Sequence, residues 1–362
     1  MSKRVAASAV QASAQHVSPV HNKQIVISLR QFTERLTRKQ RAVIERKLAG
    51  VDPGTGAGLR PLVYTSFDGD YMSMMHWMCF VAHALDYVPL NPEAALGSYV
   101  INTTFDGSKV EIMRDCLGLE LRCDEFWHFD KPSFTIDDVP EGVLTELILW
   151  RELPTPGPVR LFPWLVPGAS AVLEGDLAPE NRARTLAQRL VGDQIVDGLI
   201  SAIRADMRAD IEGRLLTRVR SEGVRPMAFT SQADRDFKHA DWARRAAFQA
   251  GYVPLNPSTL LNPFVMDLAY GLDTERRSAL ARLTILNAAD ALWLFLKPNL
   301  DPVEHAAMLP DDIVMDLYYW LSRYPDRPVM LITWRDVDVP KYSRARWAIT
   351  EREHREEHSA AH

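Results

Sequence analysis

Cysteine is scarce: Cys79, Cys116 and Cys123 are the only three in 362 residues. An odd count with no C-x-x-C pair argues against a disulfide framework and a structural zinc site, and it fits a reducing cytoplasm. Long apolar runs are missing as well. No stretch reaches the roughly 20 apolar residues a membrane helix needs, so a membrane partner is not expected. Positive charge is not in excess either. Lys and Arg number 42 against 47 Asp and Glu, a formal charge of −5, whereas nucleic-acid binding calls for a basic face. There is no phosphate loop of the P-loop or G-x-G-x-x-G type, no H-E-x-x-H and no G-x-S-x-G elbow. Neither a metal nor a cofactor is expected. His354, His358 and His362 have helical spacing but belong to a charged tail, "TEREHREEHSAAH".

What is present describes a globular chain. Hydrophobic residues make up 47% and charged residues 25%, a balance that supports packed cores. The length suits two domains of ordinary size. Before the first acidic residue, Glu34, the text is rich in Ala and Ser. Two readings fit it, a disordered tail over 1–28 or an organellar targeting segment.

The dominant feature is a duplication. Tyr-Val-Pro-Leu-Asn-Pro occurs at Tyr87 and again at Tyr252, 165 positions on (252 − 87). "RPLVYTS" from Arg60 matches "RPMAFTS" from Arg225 at the same offset, and Trp77 falls on Trp242. "CDEFWHFDKP" from Cys123 matches "ADALWLFLKP" from Ala289 at 166 (289 − 123), and "PEGVLTELILW" from Pro140 matches "PDDIVMDLYYW" from Pro310 at 170 (310 − 140). An offset that drifts only between elements means loop insertions in two copies of one fold.

Each copy alternates strand and helix. "PLVYTS", "YVPL", "EFWHF" and "VRLF" read as short buried strands. "MSMMHWMCFVAHAL", Val110 to Arg122 and "GVLTELILWREL" read as helices. Such alternation predicts α/β architecture: two tandem flavodoxin-like or Rossmann-like parallel-sheet domains with additional helical segments, ligands binding at the carboxyl ends of the strands. The expected boundaries are a tail over 1–28, a helix and linker over 29–58, the first α/β domain over 59–166, a helical linker over 167–224, the second copy over 225–340 and a charged tail over 341–362. "LRQFTERLTRKQRAVIERKLAG" reads as one amphipathic helix from Leu29 to Gly50.

Polar residues collect at the expected strand ends of copy one: Ser66, Asp68, Gly69, Asp70 and Tyr71, then Asn91, then His128 and Asp130. Asp and Gly there suit sugar hydroxyls, or alternatively a capped loop opening the next helix. Glu146 lies near the start of an apolar helix, where an acid facing the cleft can act as nucleophile or base; an exposed surface Glu is the competing reading. In order and spacing these pieces resemble the nucleoside 2-deoxyribosyltransferase-like superfamily. The matching text is "VYTSFDGDY", "YVPLNP", "GLELRCDEFWHF" and "DDVPEGVLTEL", the last with Gly142 four residues before Glu146.

The resemblance implies cleavage of an N-glycosidic bond with Glu146 as nucleophile and Asp115 or Asp124 as supporting acid. Tyr64, Ser66, Asp68, Gly69, Asp70 and Tyr71 would line the sugar pocket, with Asn91 at its wall and Gly142 beside it. The chain departs from the family pattern in three places. Asp115 stands nine rather than eight residues before Asp124, Pro140 occupies a place often held by serine, and Leu144-Thr145 replaces a second glycine. Copy two departs further. Asp316, Asp290 and Asn256 are the equivalents of Glu146, Asp124 and Asn91, while Ala233 and Arg235 replace Asp68 and Asp70. Copy two is therefore expected to be inactive and to complete copy one as an intrachain pseudo-dimer. The expected partner is a small nucleoside or nucleotide, with homo-oligomers allowed. A non-catalytic nucleotide-binding sensor or scaffold is the alternative from another class, and an NAD glycohydrolase is a third reading.

Overall fold

A computed structural model gives the architecture. The structure describes residues 23–24, 29–67, 72–96, 109–130, 141–151, 153, 156–163, 209, 213, 223–232, 240, 243–244, 246–248, 250–261, 266, 273–296, 300–327 and 329–333. It opens with a short strand β1 (Lys23–Gln24) and helices α1 (Leu29–Arg35) and α2 (Arg38–Lys47). Repeat one follows: β2 (Leu62–Phe67), α3 (Met72–Ala84), β3 (Val88–Leu90), α4 (Pro92–Leu96), α5 (Lys109–Glu120), β4 (Glu125–Asp130), α6 (Glu141–Arg151) and β5 (Val159–Pro163). Repeat two contains β6 (Met227–Gln232), β7 (Val253–Leu255), α7 (Pro257–Leu260), α8 (Thr274–Asn287), β8 (Ala291–Leu296), α9 (Asp311–Arg323) and β9 (Val329–Thr333). The expected helical linker over 167–224 lies almost wholly outside the described residues. Among the described residues no helix is long and apolar enough to cross a membrane.

The α/β expectation holds. Each repeat builds four parallel strands, in the orders β3-β2-β4-β5 and β7-β6-β8-β9; β1 joins the second sheet antiparallel to β9. Within a repeat the strands therefore stand 2-1-3-4. The duplication holds residue by residue. Tyr64 pairs with Leu90 and Phe126 where Phe229 pairs with Leu255 and Leu292, and Phe126 pairs with Val159 where Leu292 pairs with Val329. β6 and β8 are buried at every residue. This explains their near-continuous apolar text, because helices cover both faces of such a sheet.

The doubled Tyr-Val-Pro-Leu-Asn-Pro is a complete local device. Before it, Asp86 and Gly251 both take left-handed backbone, φ 66° and 82°. Both helix ends close in the same way. Tyr87 N–H reaches Ala82 O and Asp86 N–H reaches His83 O; Tyr252 and Gly251 repeat this on Ala247 and Phe248. These are the paired bonds of a Schellman cap, in which Gly is the easiest left-handed residue and Asp a tolerated one. After the strand, Asn91 Nδ2 donates to Thr65 O and Oγ1 (3.1 and 3.3 Å) while its Oδ1 accepts from Ala94 N–H at 2.9 Å. Asn256 does the same with Thr230 and with Ser258 and Thr259 N–H.

The short helices that follow these asparagines bring the repeats together. α4 packs on β7 and α7. His83 Nε2 donates to Leu261 O (3.2 Å), and Arg244 donates to Ala94 O (3.0 Å). Arg122 grips Asp290 with two hydrogen bonds of 2.8 and 2.7 Å, and Arg225 lies 3.5 Å from Asp115. One continuous apolar core draws side chains from both repeats.

The amino-terminal segment corrects one expectation. The helix expected from Leu29 to Gly50 is broken at Leu36–Thr37, because Thr37 and Gln40 form a capping box that starts α2 afresh. That segment also docks on repeat two rather than on the repeat it precedes. Gln40 donates to Ala306 O (2.7 Å), Arg35 to Val303 O (2.7 Å) and Arg323 to Gly54 O (2.7 Å), while α2 lies across α8 and α9.

Candidate active site

Strand pleating puts Tyr64 and Ser66 on the same face of β2. Their partners on β4 are Phe126 and His128. Tyr64 and Phe126 stack with ring centroids 5.2 Å apart, and Phe126 meets Trp150 of α6 at 5.6 Å. α6 therefore covers this face, and Glu146 comes down onto it. Its Oε1 accepts from Tyr64 OH at 3.0 Å and its Oε2 from Ser66 Oγ at 2.5 Å. Val143, Leu147, Leu149 and Trp150 anchor the helix in the core, and Glu146 itself stays half-buried. Burial raises its carboxyl above the usual range. The two hydroxyl donors and nearby His128 oppose that rise, and Glu93 adds to it.

α5 packs beside α6 and adds Cys116 and Glu120. These are one helical turn apart and share a face. Both are buried, and burial first, then the charge of Glu146, pushes the Cys116 thiol and the Glu120 carboxyl well up. Burial likewise pushes the Tyr64 hydroxyl well above its ordinary value. The arrangement favours one anion, Glu146, held by neutral donors.

Repeat two answers the same geometry differently. Asp316, in the place of Glu146, is fully buried and accepts from Ser231 Oγ at 2.7 Å. Arg282 stands where Cys116 stands in repeat one. Its Nε lies 2.8 and 2.9 Å from the Asp316 oxygens and its Nη2 lies 2.5 Å from Oδ2, with the guanidinium over Phe229 at 5.4 Å. Phe229 has no hydroxyl to offer, and Leu286 and Leu294 replace Glu120 and His128. Burial pushes the Asp316 carboxyl up while Arg282 pulls it down. This carboxylate is neutralised from within and sealed from solvent.

The other expected site residues lie elsewhere or outside the described residues. Asp124 stands at the amino end of β4, where Oδ2 accepts from Leu62 N–H at 2.8 Å; Asp290 does the same for Met227 N–H at 2.9 Å. Both close the start of a neighbouring strand, at the sheet edge opposite the one that binds ligands in open α/β sheets. Asp115 is buried beside Arg225 of the other repeat. Asn91 and Asn256 spend their amides on the clamp described above. Gly142 is the second residue of α6. Asp68, Gly69, Asp70 and Tyr71 lie outside the described residues.

Sequence reasoning brought Tyr64, Ser66 and Glu146 together and passed over Cys116 and Glu120. Their signal was in the duplication: at an offset of 166 (282 − 116) they face Arg282 and Leu286. A surface depression between α2 and α8, lined by Arg46, Lys47, Asp273, Glu275 and Arg276, holds both signs of charge. Arg46 is paired with Glu275 at 2.7 Å and Lys47 with Asp312 at 2.9 Å, so it reads as a solvated ion network. Among the described residues no three His, Cys, Asp or Glu side chains group as metal ligands.

Fold and site together define an α/β protein of two parallel-sheet repeats, one with a half-buried carboxylate held by hydroxyls and one with a carboxylate neutralised by an arginine. Compared with family models, curated proteins and solved structures, the chain matches none of them.

Proposed function

We propose that the protein cleaves or transfers the N-glycosidic bond of a nucleoside or nucleotide, with Glu146 as nucleophile. The reading rests on the resemblance to the nucleoside 2-deoxyribosyltransferase-like superfamily. The observation that carries it is Glu146 itself, a half-buried carboxylate oriented by two hydroxyls beneath a sheet edge, while its counterpart Asp316 is consumed by an arginine. The strand order 2-1-3-4 also favours a flavodoxin-like arrangement. In such sheets ligands settle where the order reverses, between the first and third strands. Here those are β2 and β4, which carry Tyr64, Ser66 and His128.

In this reaction a Glu146 oxygen attacks the anomeric carbon. A C–O bond forms as the C–N bond breaks, and the base leaves with the bonding pair and takes a proton from solvent. Water or a second base then attacks the same carbon, gives up its proton and frees the Glu146 carboxylate. Covalent capture divides one high barrier into two, and an adjacent carboxylate stabilises the oxocarbenium-like transition state. Tyr64 and Ser66 hold the carboxylate in one orientation, and burial keeps it more basic than a surface Glu.

For repeat two the same atoms favour the non-catalytic reading. Asp316 is fully buried and bound by Arg282 and Ser231, so that half serves as a structural partner. The test is a panel of deoxynucleosides, ribonucleosides, their monophosphates and NAD, with free base followed by chromatography. Glu146→Gln should lower release by about 10³-fold or more. The double variant Arg282→Met, Asp316→Leu removes both charges of the pair and should keep it. Release that survives Glu146→Gln would overturn the assignment.

A further inference from the structure

The two hydroxyls on Glu146 are not equivalent. Tyr64 and Ser66 stand two residues apart on β2, so Ser66 lies about 6–7 Å nearer the carboxyl end of the strand. Tyr64 OH donates to Oε1 at 3.0 Å and Ser66 Oγ to Oε2 at 2.5 Å. Oε1 is therefore the inner oxygen, tied to a fully buried phenol, and Oε2 is the outer one, towards the edge where ligands settle in open α/β sheets. Ser66 is also the register partner of His128, which sets this outer level between β2 and β4, at the reversal in strand order.

Repeat two shows how such an oxygen is closed. Ser231 makes the same contact with Asp316 Oδ2, at 2.7 Å, but Arg282 Nη2 lies 2.5 Å from that oxygen as well. In repeat one Ser66 is the hydrogen-bond partner of Oε2 among the described residues, and the residue in the place of Arg282 is Cys116. A carboxylate oxygen has two lone-pair sites. One meets Ser66, and the other is left to attack.

Attack changes what Ser66 meets. Oε2 gives a lone pair to the anomeric carbon, the C–N bond breaks with its pair going to the base, and the base takes a proton from solvent. Oε2 is then the bridging oxygen of an ester, neutral and a weak acceptor. Ser66, only 3% exposed, keeps its proton throughout and needs another acceptor, because a buried hydroxyl left unmet is costly. In a β-linked ribosyl group the 2′-hydroxyl projects from the sugar face opposite the base. That is the face Oε2 attacks, and the hydroxyl sits on the carbon beside the new bond. A 2′-deoxyriboside lacks this acceptor, and an arabinoside turns it to the other face. Accepting Glu146 as the nucleophile, on which this rests, we infer that Glu146 attacks through Oε2 and that Ser66 passes its hydrogen bond from Oε2 to the sugar 2′-hydroxyl, so that Ser66 selects ribosides. A buried hydroxyl pair discriminates well, because a substrate lacking its half leaves the other half unmet. When water or a second base frees Glu146, Ser66 returns to Oε2.

The experiment measures kcat/KM for base release from matched ribosides, 2′-deoxyribosides and arabinosides of adenine, guanine, cytosine and uracil, as nucleosides and as monophosphates. Riboside and arabinoside carry the same hydroxyl and differ only in its face. The wild-type protein should therefore favour the riboside by about tenfold or more, equivalent to about 1.4 kcal/mol at the transition state. Ser66→Ala loosens Glu146 and should slow all three sugars, and it should also lower the riboside-to-arabinoside and riboside-to-deoxyriboside ratios about tenfold. Ser66→Thr keeps the hydroxyl and should keep both ratios. Equal wild-type rates for riboside and arabinoside, or release from 2′-deoxyribosides alone, would overturn the proposal without any variant. An equal loss on all three sugars in Ser66→Ala would mark a residue that only orients Glu146, and it overturns the proposal too. In each of these outcomes, release that still depends on Glu146 keeps the glycosidic reading. Release from no substrate, or release that survives Glu146→Gln, removes both.

Discussion

At the scale of the residue, Glu120 is a fully buried acid with no hydrogen-bond partner among the described residues, and it costs stability. Glu120→Leu, the residue repeat two uses, should raise the unfolding free energy by about 1–3 kcal/mol. The direction of its pH dependence follows from linkage. The native carboxyl is raised above its ordinary value of 4.5, so over the window above that value the folded state holds a proton the unfolded chain has lost. Stability therefore falls as pH rises through that window, and the gain from leucine grows with pH. Urea midpoints of both proteins across a pH series would check this; a gain that shrinks with rising pH would contradict it.

At the scale of the element, the junction of α3 and α7 carries an acid-sensitive contact. Fully buried His83 holds Leu261 O across the repeats, and burial lowers its imidazole from 6.5 to about 4. Below pH 6.5 the unfolded chain takes up a proton that the folded state refuses. The stabilisation is complete above that pH and is lost as pH falls towards 4, by about 3 kcal/mol at most. His83→Gln keeps a donor for Leu261 and should flatten the stability curve over that interval in chemical denaturation. Elements of this kind were legible in the sequence. The strands, α3, α5, α6 and the repeat offsets follow from apolar periodicity, which burial enforces. The meeting of Tyr64, Ser66 and Glu146 was legible only through the resemblance, which set all three in one pocket. The roles of Asp124, Asp115 and Asn91 were not. Each depends on a partner, Leu62 N–H, Arg225 or Thr65, that only the folded chain brings within reach. The break at Thr37 was readable in "TRKQ" and was overruled by the longer apolar pattern.

At the scale of the whole molecule, position along the chain and position in space disagree. α1 and α2 precede repeat one yet brace repeat two. Phe32 is fully buried and α1 packs on α9. Phe32→Ala should therefore cost about 3–5 kcal/mol. In hydrogen exchange the lost protection should map to α9 and residues 306–308 and spare β2, β4 and β5. Loss confined to repeat one would refute this reading of the brace.

The pairing of β1 with β9 also sets a timetable. Lys23 and Leu331 are register partners separated by 308 positions (331 − 23). A ribosome adding about 5–20 residues per second needs roughly 15–60 s to travel that distance. Throughout that interval the first strand and the apolar stripe of the two helices behind it have been made, and the surface that receives them has not. Repeat one can assemble as it emerges, but the segment synthesised before it must wait for the last strand of repeat two. Nascent chains of this protein thus expose an unsatisfied amino-terminal patch for most of their synthesis, which is the period in which chaperones would engage it.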